Sequence, residues 1–228
     1  MHKKALAGIV TIGSLLLTGA LAIGSGAGSG ISADEALQKL LEGNKRYVAQ
    51  QMTGQKLCDL SAREGLATSQ HPYAIILSCS DSRVPPEIIF DKGLGEVFVV
   101  RVAGNVPDPV VVGSVEYAAE HLGSPLVVVL GHERCGAVTA AVEAKGKPEG
   151  NIGAIIKTIA PAVKQARKEF KGADKAGLVE TAIDDNVKLV SANLTKQSPL
   201  LKHLVKEGKL KIVAAKYDLD DGQVRLLK

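Results

Sequence analysis

The chain has 228 residues, 46% of them hydrophobic and 23% charged, which suits one globular domain with a core of its own. Its 28 basic and 24 acidic residues leave a net charge of only +4 and form no Lys/Arg-rich stripe, while aromatic residues make up just 3%. Neither an electrostatic footprint nor stacking platforms for nucleic acid are present, so no nucleic-acid partner is expected.

Residues 1–31 read apart from the rest. Lys3 and Lys4 are followed by no charged residue until Asp34, and an apolar run leads to small residues at Ala20-Leu21-Ala22 and GSGAGSG. A basic start, an apolar middle and a small-residue exit are the layout of a secretory signal. The alternative is a retained membrane anchor, because the uncharged run is long enough to span a bilayer, but its Gly, Ser and Thr content favours cleavage. No cysteine stands beside the exit, which argues against a lipoprotein. Losing Lys3 and Lys4 leaves 26 basic against 24 acidic residues. A nearly neutral periplasmic or secreted protein, with no membrane partner after cleavage, is therefore expected.

The folded part is expected to span residues 32–228 as one domain. Ser32 with Glu35 makes a capping box, and Leu37, Leu40, Leu41 and Val48 follow at helical spacing, so a first amphipathic helix starts here. YAIIL (73–77), EVFVV (96–100) and PLVVVL (125–130) are continuous apolar runs, the pattern of strands buried on both faces of a parallel sheet. VGSVEYAAEHL (112–122) and GAVTAAVEA (136–144) read as helices, residues 151–208 as mostly helical, KIVAAKY (211–217) as a strand and VRLL as an edge strand after the turn LDDGQ. Strand and helix in alternation predict an α/β fold, a mostly parallel central β-sheet flanked by helices.

Cys79 closes the first predicted strand, and His132 and Cys135, within GHERCG, close the third. All three therefore belong at the carboxyl edge of one parallel sheet, where open α/β folds place their sites. Two cysteines and a histidine suit zinc with a fourth position open, the pattern of a catalytic site. Gly131 and Gly136 flank the pair and are expected to let the backbone turn closely around an ion, and Cys135 opens a helix whose positive end favours a thiolate. A Cys79–Cys135 disulfide is the competing reading in an oxidising compartment, but it explains neither His132 nor the neighbouring Asp81 and Arg83. Cys58 lies outside this constellation and is assigned no role.

Four segments carry a resemblance. CSDSRVPPE (79–87), VRVAGN (100–105), SVEYAAEHLG (114–123) and GHERCGAV (131–138) are similar, in order and spacing, to the signature segments of the β-class carbonic anhydrases. The likeness runs from about Ser32 to the C-terminus. It implies one zinc ion per chain on Cys79, His132 and Cys135, a catalytic dyad of Asp81 and Arg83, and substrate-pocket roles for Gln70, Phe98 and Tyr117. Val102 stands where many relatives carry Asn, and Ile76 where a bicarbonate-regulated subgroup carries Trp, which argues against that regulation here.

The implied activity is interconversion of carbon dioxide and bicarbonate through a zinc-bound hydroxide, since zinc lowers the pKa of bound water from 15.7 towards ~7. Asp81 is placed to accept that hydroxide's proton in a hydrogen bond, and Arg83 to orient Asp81. Released from Arg83, Asp81 could instead occupy the fourth zinc position. Two alternatives stay open: hydrolysis of carbonyl sulfide or carbon disulfide on the same fold, and a non-enzymatic zinc-stabilised module. Gln70 stands nine residues before Cys79, and the strand between them, at about 3.3 Å per residue, keeps the two well over ~15 Å apart, so it can hardly reach its own zinc. The resemblance implies that Gln70 and Tyr117 complete a neighbouring chain's pocket, making the protein a homodimer or a higher homo-oligomer.

Overall fold

The computed structural model describes residues 29–54, 58–146, 148 and 150–228. The signal-like stretch up to residue 28 lies outside them. Among the described residues no helix is long and apolar enough to cross a membrane.

The first helix, α1 (Ala33–Val48), begins where the capping box places it. Glu35 N–H donates to Ser32 Oγ at 3.2 Å and Ser32 N–H to Glu35 Oε2 at 2.8 Å, so two otherwise unpartnered amides are satisfied at once. Of the expected stripe, Leu40 is buried and Leu37 packs against the core, but Leu41 is only half-buried and Val48 is exposed, and Ala36, Gly43 and Asn44 complete the buried side. Gly43 explains the difference, because a Cβ there would sit 1.8 Å from the carbonyl oxygen of Phe90. The helix packs by close backbone approach, which a run of leucines would prevent.

Five strands follow: β1 (Ala74–Ser78), β2 (Val97–Arg101), β3 (Leu126–His132), β4 (Lys211–Tyr217) and β5 (Val224–Leu227). They lie in the order β2-β1-β3-β4-β5. The first four are mutually parallel, and β5 adds antiparallel at one edge. The expected mostly parallel sheet is present, with one correction. EVFVV was read as a strand buried on both faces, yet β2 is the opposite edge strand, and Val97–Val100 are only half-buried.

Helices cover both faces. On one side lie α1, α3 (Pro86–Ile89), α5 (Gly136–Glu143), α6 (Ile152–Glu169) and the first half of α7 (Lys175–Gln197). On the other lie α4 (Pro109–Glu120), the second half of α7 and α8 (Pro199–Lys206). A short helix, α2 (Leu60–Gly65), precedes β1. Alternation along β1 divides the layers: Ala74 and Ile76 join the first core, Ile75 and Leu77 the second.

Candidate metal centre

Cys79 stands just past β1, His132 is the last residue of β3, and Cys135 is the N-cap residue of α5. β1 and β3 are parallel neighbours, so both release the chain at the same sheet edge. Ligand atoms of the three side chains lie within 4.8 Å of one another, all buried. Both thiols are free, so the disulfide reading does not describe this structure. Cys58, also free, is exposed and lies apart, its Sγ 3.6 Å from Gly54 O.

The histidine is oriented by one nitrogen and left open at the other. Nδ1 lies 2.8 Å from Glu133 O, while Nε2 is buried with no hydrogen-bond partner. A buried, unpartnered imidazole nitrogen beside two thiols is costly unless something binds there. A soft, tetrahedral N/S-binding ion such as zinc fits this donor set, and the bonded Nδ1 is the usual orienting contact of a ligating histidine.

The two thiols are electrostatically opposed. Hydrogen bonding from Cys135, with further help from the Gly104 N–H, holds the Cys79 thiol down at about 4 against the effect of burial. The same shared contact, together with burial, pushes Cys135 well above the usual thiol range, outweighing the N–H groups of Val138 and Ala137. Two adjacent buried sulfurs do not both ionise without a cation, so the pair gives up its second proton far less readily than its first. The flanking glycines also differ from expectation. A Cβ at Gly131 would lie 2.3 Å from Val187 Cγ2, so that position is bare to seat α7, and a Cβ at Gly136 would meet nothing within 4 Å. The left-handed turn between the ligands falls on Arg134, at φ 50°.

Asp81 and Arg83 form a fork: Arg83 Nε donates to Asp81 Oδ1 at 2.9 Å and Nη2 to Oδ2 at 2.8 Å. Arg83's hydrogen bonds hold the Asp81 carboxyl far below the usual carboxylate range. Asp81 Oδ2 also lies 3.8 Å from His132 Nε2, which brings the pair to the edge of the thiol–imidazole cluster.

The three expected pocket residues lie elsewhere in the chain. Gln70 and Tyr117 line a cavity of about 760 Å³ with Leu94, His121 and Leu122, and none of Cys79, Asp81, Arg83, His132 or Cys135 lines it. Phe98, on β2, meets Tyr117 with ring centroids 6.2 Å apart and packs with the second core, whereas both site cysteines belong to the first.

Residues that the sequence reading left without a role hold the site in place. Arg101, at the end of β2, donates Nε to Cys79 O at 3.0 Å and Nη2 to Asp81 O at 2.7 Å. Its place in VRVAGN was visible, but nothing there announces two backbone carbonyls as its partners. Val102, where an Asn was the alternative, makes a backbone bond to Ser78 O and packs its side chain into the core.

A family model described as "Carbonic anhydrase" matches residues 74–224. Among solved structures, a β-carbonic anhydrase of Coccomyxa aligns with a TM-score of 0.70 at 27% identity, covering 84% of this chain and 86% of that one. The chain belongs to the β-carbonic anhydrase family. Another member of this family, from Aspergillus fumigatus, aligns with a TM-score of 0.69 at 29% identity, covering 86% of this chain and 90% of that one. Among curated carbonic anhydrases, "Carbonic anhydrase 2" of Mycobacterium tuberculosis is 42% identical over 196 residues, 84% of this chain and 91% of the relative. A carbonic anhydrase of Mycolicibacterium smegmatis is 39% identical over 199 residues, with the same coverage of both chains. The protein is thus an enzyme, a carbonic anhydrase acting on carbon dioxide and bicarbonate, which sets aside the non-enzymatic module.

Proposed function

We propose that this carbonic anhydrase works with one zinc ion per chain, held by Cys79, His132 and Cys135, and with Asp81 and Arg83 as its catalytic dyad. The observation that carries the reading is the buried, unpartnered His132 Nε2, set among two free thiols and 3.8 Å from Asp81 Oδ2. When bound, zinc supplies the Lewis acidity that makes water a nucleophile near neutral pH. Asp81, kept ionised by Arg83, accepts a hydrogen bond from the attacking oxygen and so turns a lone pair towards the carbon of CO2. Arg83 keeps the carboxylate in one orientation. In the fork seen here both Asp81 oxygens are engaged by Arg83, which supports a state with the fourth ligand position available to substrate.

Two further parts belong to this reading. Gln70 and Tyr117 serve the pocket of a second copy, in a homodimer or higher homo-oligomer; their place on a cavity that lacks the metal set supports this, and Phe98 packs against Tyr117 as a further pocket residue. A solved β-carbonic anhydrase pair from Sordaria macrospora is described as tetrameric. The basic, then apolar, N-terminal stretch directs export to the periplasm or beyond, which cell fractionation checks: an uncleaved soluble cytoplasmic protein would refute it.

Metal analysis and stopped-flow CO2 hydration test the central reading together. Purified mature protein is expected to hold about one zinc per chain, and His132→Ala to lose both metal and activity. Full zinc occupancy and full activity in that variant would overturn the ligand assignment.

A further inference from the structure

Asn186 sits in the middle of α7, 2% exposed, on the stripe formed by Ile183, Val187 and Val190. A polar residue on a buried apolar stripe needs a partner. Its Nδ2 donates at 3.0 Å to the carbonyl of Gly104, 82 positions earlier in the chain. Gly104 lies in the short 3-10 turn Ala103–Asn105 that follows β2, in the left-handed region at φ 69°. A Cβ there would meet Ile159 Cδ1 at 2.8 Å and Ala137 Cβ at 3.1 Å, so the turn is pressed between α6 and α5 and admits only glycine. The amide of the same Gly104 donates to Cys79 Sγ at 3.3 Å.

One residue thus accepts from α7 on its carbonyl side and gives to a metal-site sulfur on its amide side. The two peptide groups that flank a left-handed glycine have no side chain between them to hold their tilt. Its carbonyl is fixed by Asn186, and the direction of its N–H follows from the turn that this contact anchors.

We infer that Asn186 is a positioning residue for the metal centre, acting through Gly104 to hold a hydrogen bond on the sulfur of Cys79. An N–H aimed at a metal-bound sulfur withdraws charge from it and fixes the lone pair that faces the ion, and outer contacts of this kind are typically worth 10- to 100-fold in metal affinity or activity. Asn186 touches neither metal nor substrate, so its effect is on the strength and direction of one ligand.

The inference rests on the zinc reading above, so the parent protein is measured first. A parent without stoichiometric zinc sinks that reading, whereas a normal parent with unaltered variants sinks only this one. In Asn186→Ala, and in Asn186→Ser as a second variant that keeps a small polar group, zinc affinity by chelator competition is expected to fall about 10-fold. In the cobalt-loaded proteins the sulfur-to-metal charge-transfer band is expected to move to longer wavelength, because the sulfur has lost a donor. Asn44→Ala is the control for lost stability alone. Asn44 is also buried and bonds Ile89 O, Gly222 O and the Val224 N–H, none of them a residue of the site. It is expected to melt earlier with affinity and band unchanged. Affinity within twofold of the parent and an unmoved band in both Asn186 variants, or an equal change in Asn44→Ala, would overturn the inference.

Discussion

Three hydrogen bonds from one residue reach the Asp81 carboxylate: the Arg83 backbone N–H at 3.0 Å, Nε at 2.9 Å and Nη2 at 2.8 Å. Asp81→Asn keeps the shape of the side chain but cannot accept in the same way on both sides. Hydration is expected to fall by two orders of magnitude or so with zinc content unchanged. An unaltered rate would remove Asp81 from the mechanism. Arg83's bonds keep Asp81 ionised far into the acid range, so on the proposed zinc mechanism the rate's dependence on pH near neutrality would come from the metal-activated water instead. Two sulfur ligands donate more charge than imidazoles would, which makes that water a weaker acid. The value of kcat/KM is therefore expected to rise on the alkaline side of neutrality, and a flat profile contradicts the proposal.

A second carboxylate matters for the fold rather than the reaction. Asp91, 1% exposed and at φ 49°, accepts from Gly54 N–H, Thr53 N–H, Thr53 Oγ1 and Arg46 Nε. Burial opposes its charge, but the bonds from Gly54, Arg46 and Thr53 outweigh burial and lower its pKa. A depressed carboxyl contributes stability that is present above its unfolded value near 3.9 and lost as pH falls through the folded one. Asp91→Ala is expected to cost about 3 kcal/mol at neutral pH, with a smaller difference from the parent in acid. Urea titrations at pH 7 and at pH 3 check both halves.

At the scale of elements, Ser198 shows how a single residue divides a long helical stretch. It ends α7 and caps α8, fully buried, accepting Leu201 N–H at 3.0 Å while its hydroxyl donates to Glu116 on α4. Ser198→Ala removes the cap and leaves Glu116 without this partner, so a loss of about 2 kcal/mol is expected in a denaturant midpoint. The sequence showed residues 151–208 as mostly helical but not this break. The break depends on Pro199 at the first helical position and on a partner on α4, 82 residues away. The same limit applies to β2. A continuous apolar run says that a strand is covered on both faces, not by which chain, and EVFVV proved to be an edge strand. The Cys79, His132 and Cys135 cluster was legible because each residue sits at a strand end or helix start, and parallel strands bring those ends together without any side-chain detail. Arg101 and Asn186 were not, since their partners are backbone carbonyls, which no residue type reveals. The one signal for Asn186 was a polar residue on an otherwise apolar stripe.

For the molecule as a whole, β2 is a half-buried edge strand, α4 exposes Val110 and Tyr117, and Tyr117 lines the Gln70 cavity. On the proposed shared-pocket arrangement, an Asp81→Asn chain and a Tyr117→Ala chain are each weak alone. Mixed under subunit exchange they form a dimer with one pocket built wholly from undamaged parts. Partial recovery of activity is the expected outcome, and a fully active monomer at assay concentration excludes the arrangement.

The placement of the three ligand residues has a consequence for how the chain reaches its folded state. Cys79 follows β1, and His132 and Cys135 close β3 and open α5, so the cluster exists only once the two strands have paired. An ion bound there recognises the native arrangement far better than the unfolded chain. Such binding adds about 4 kcal/mol of stability when free metal exceeds its dissociation constant a thousandfold. On the proposed export and zinc binding, the chain is threaded across a membrane before it folds, and the supply of metal on the far side then governs how much of it survives proteolysis there, before a single turnover has taken place.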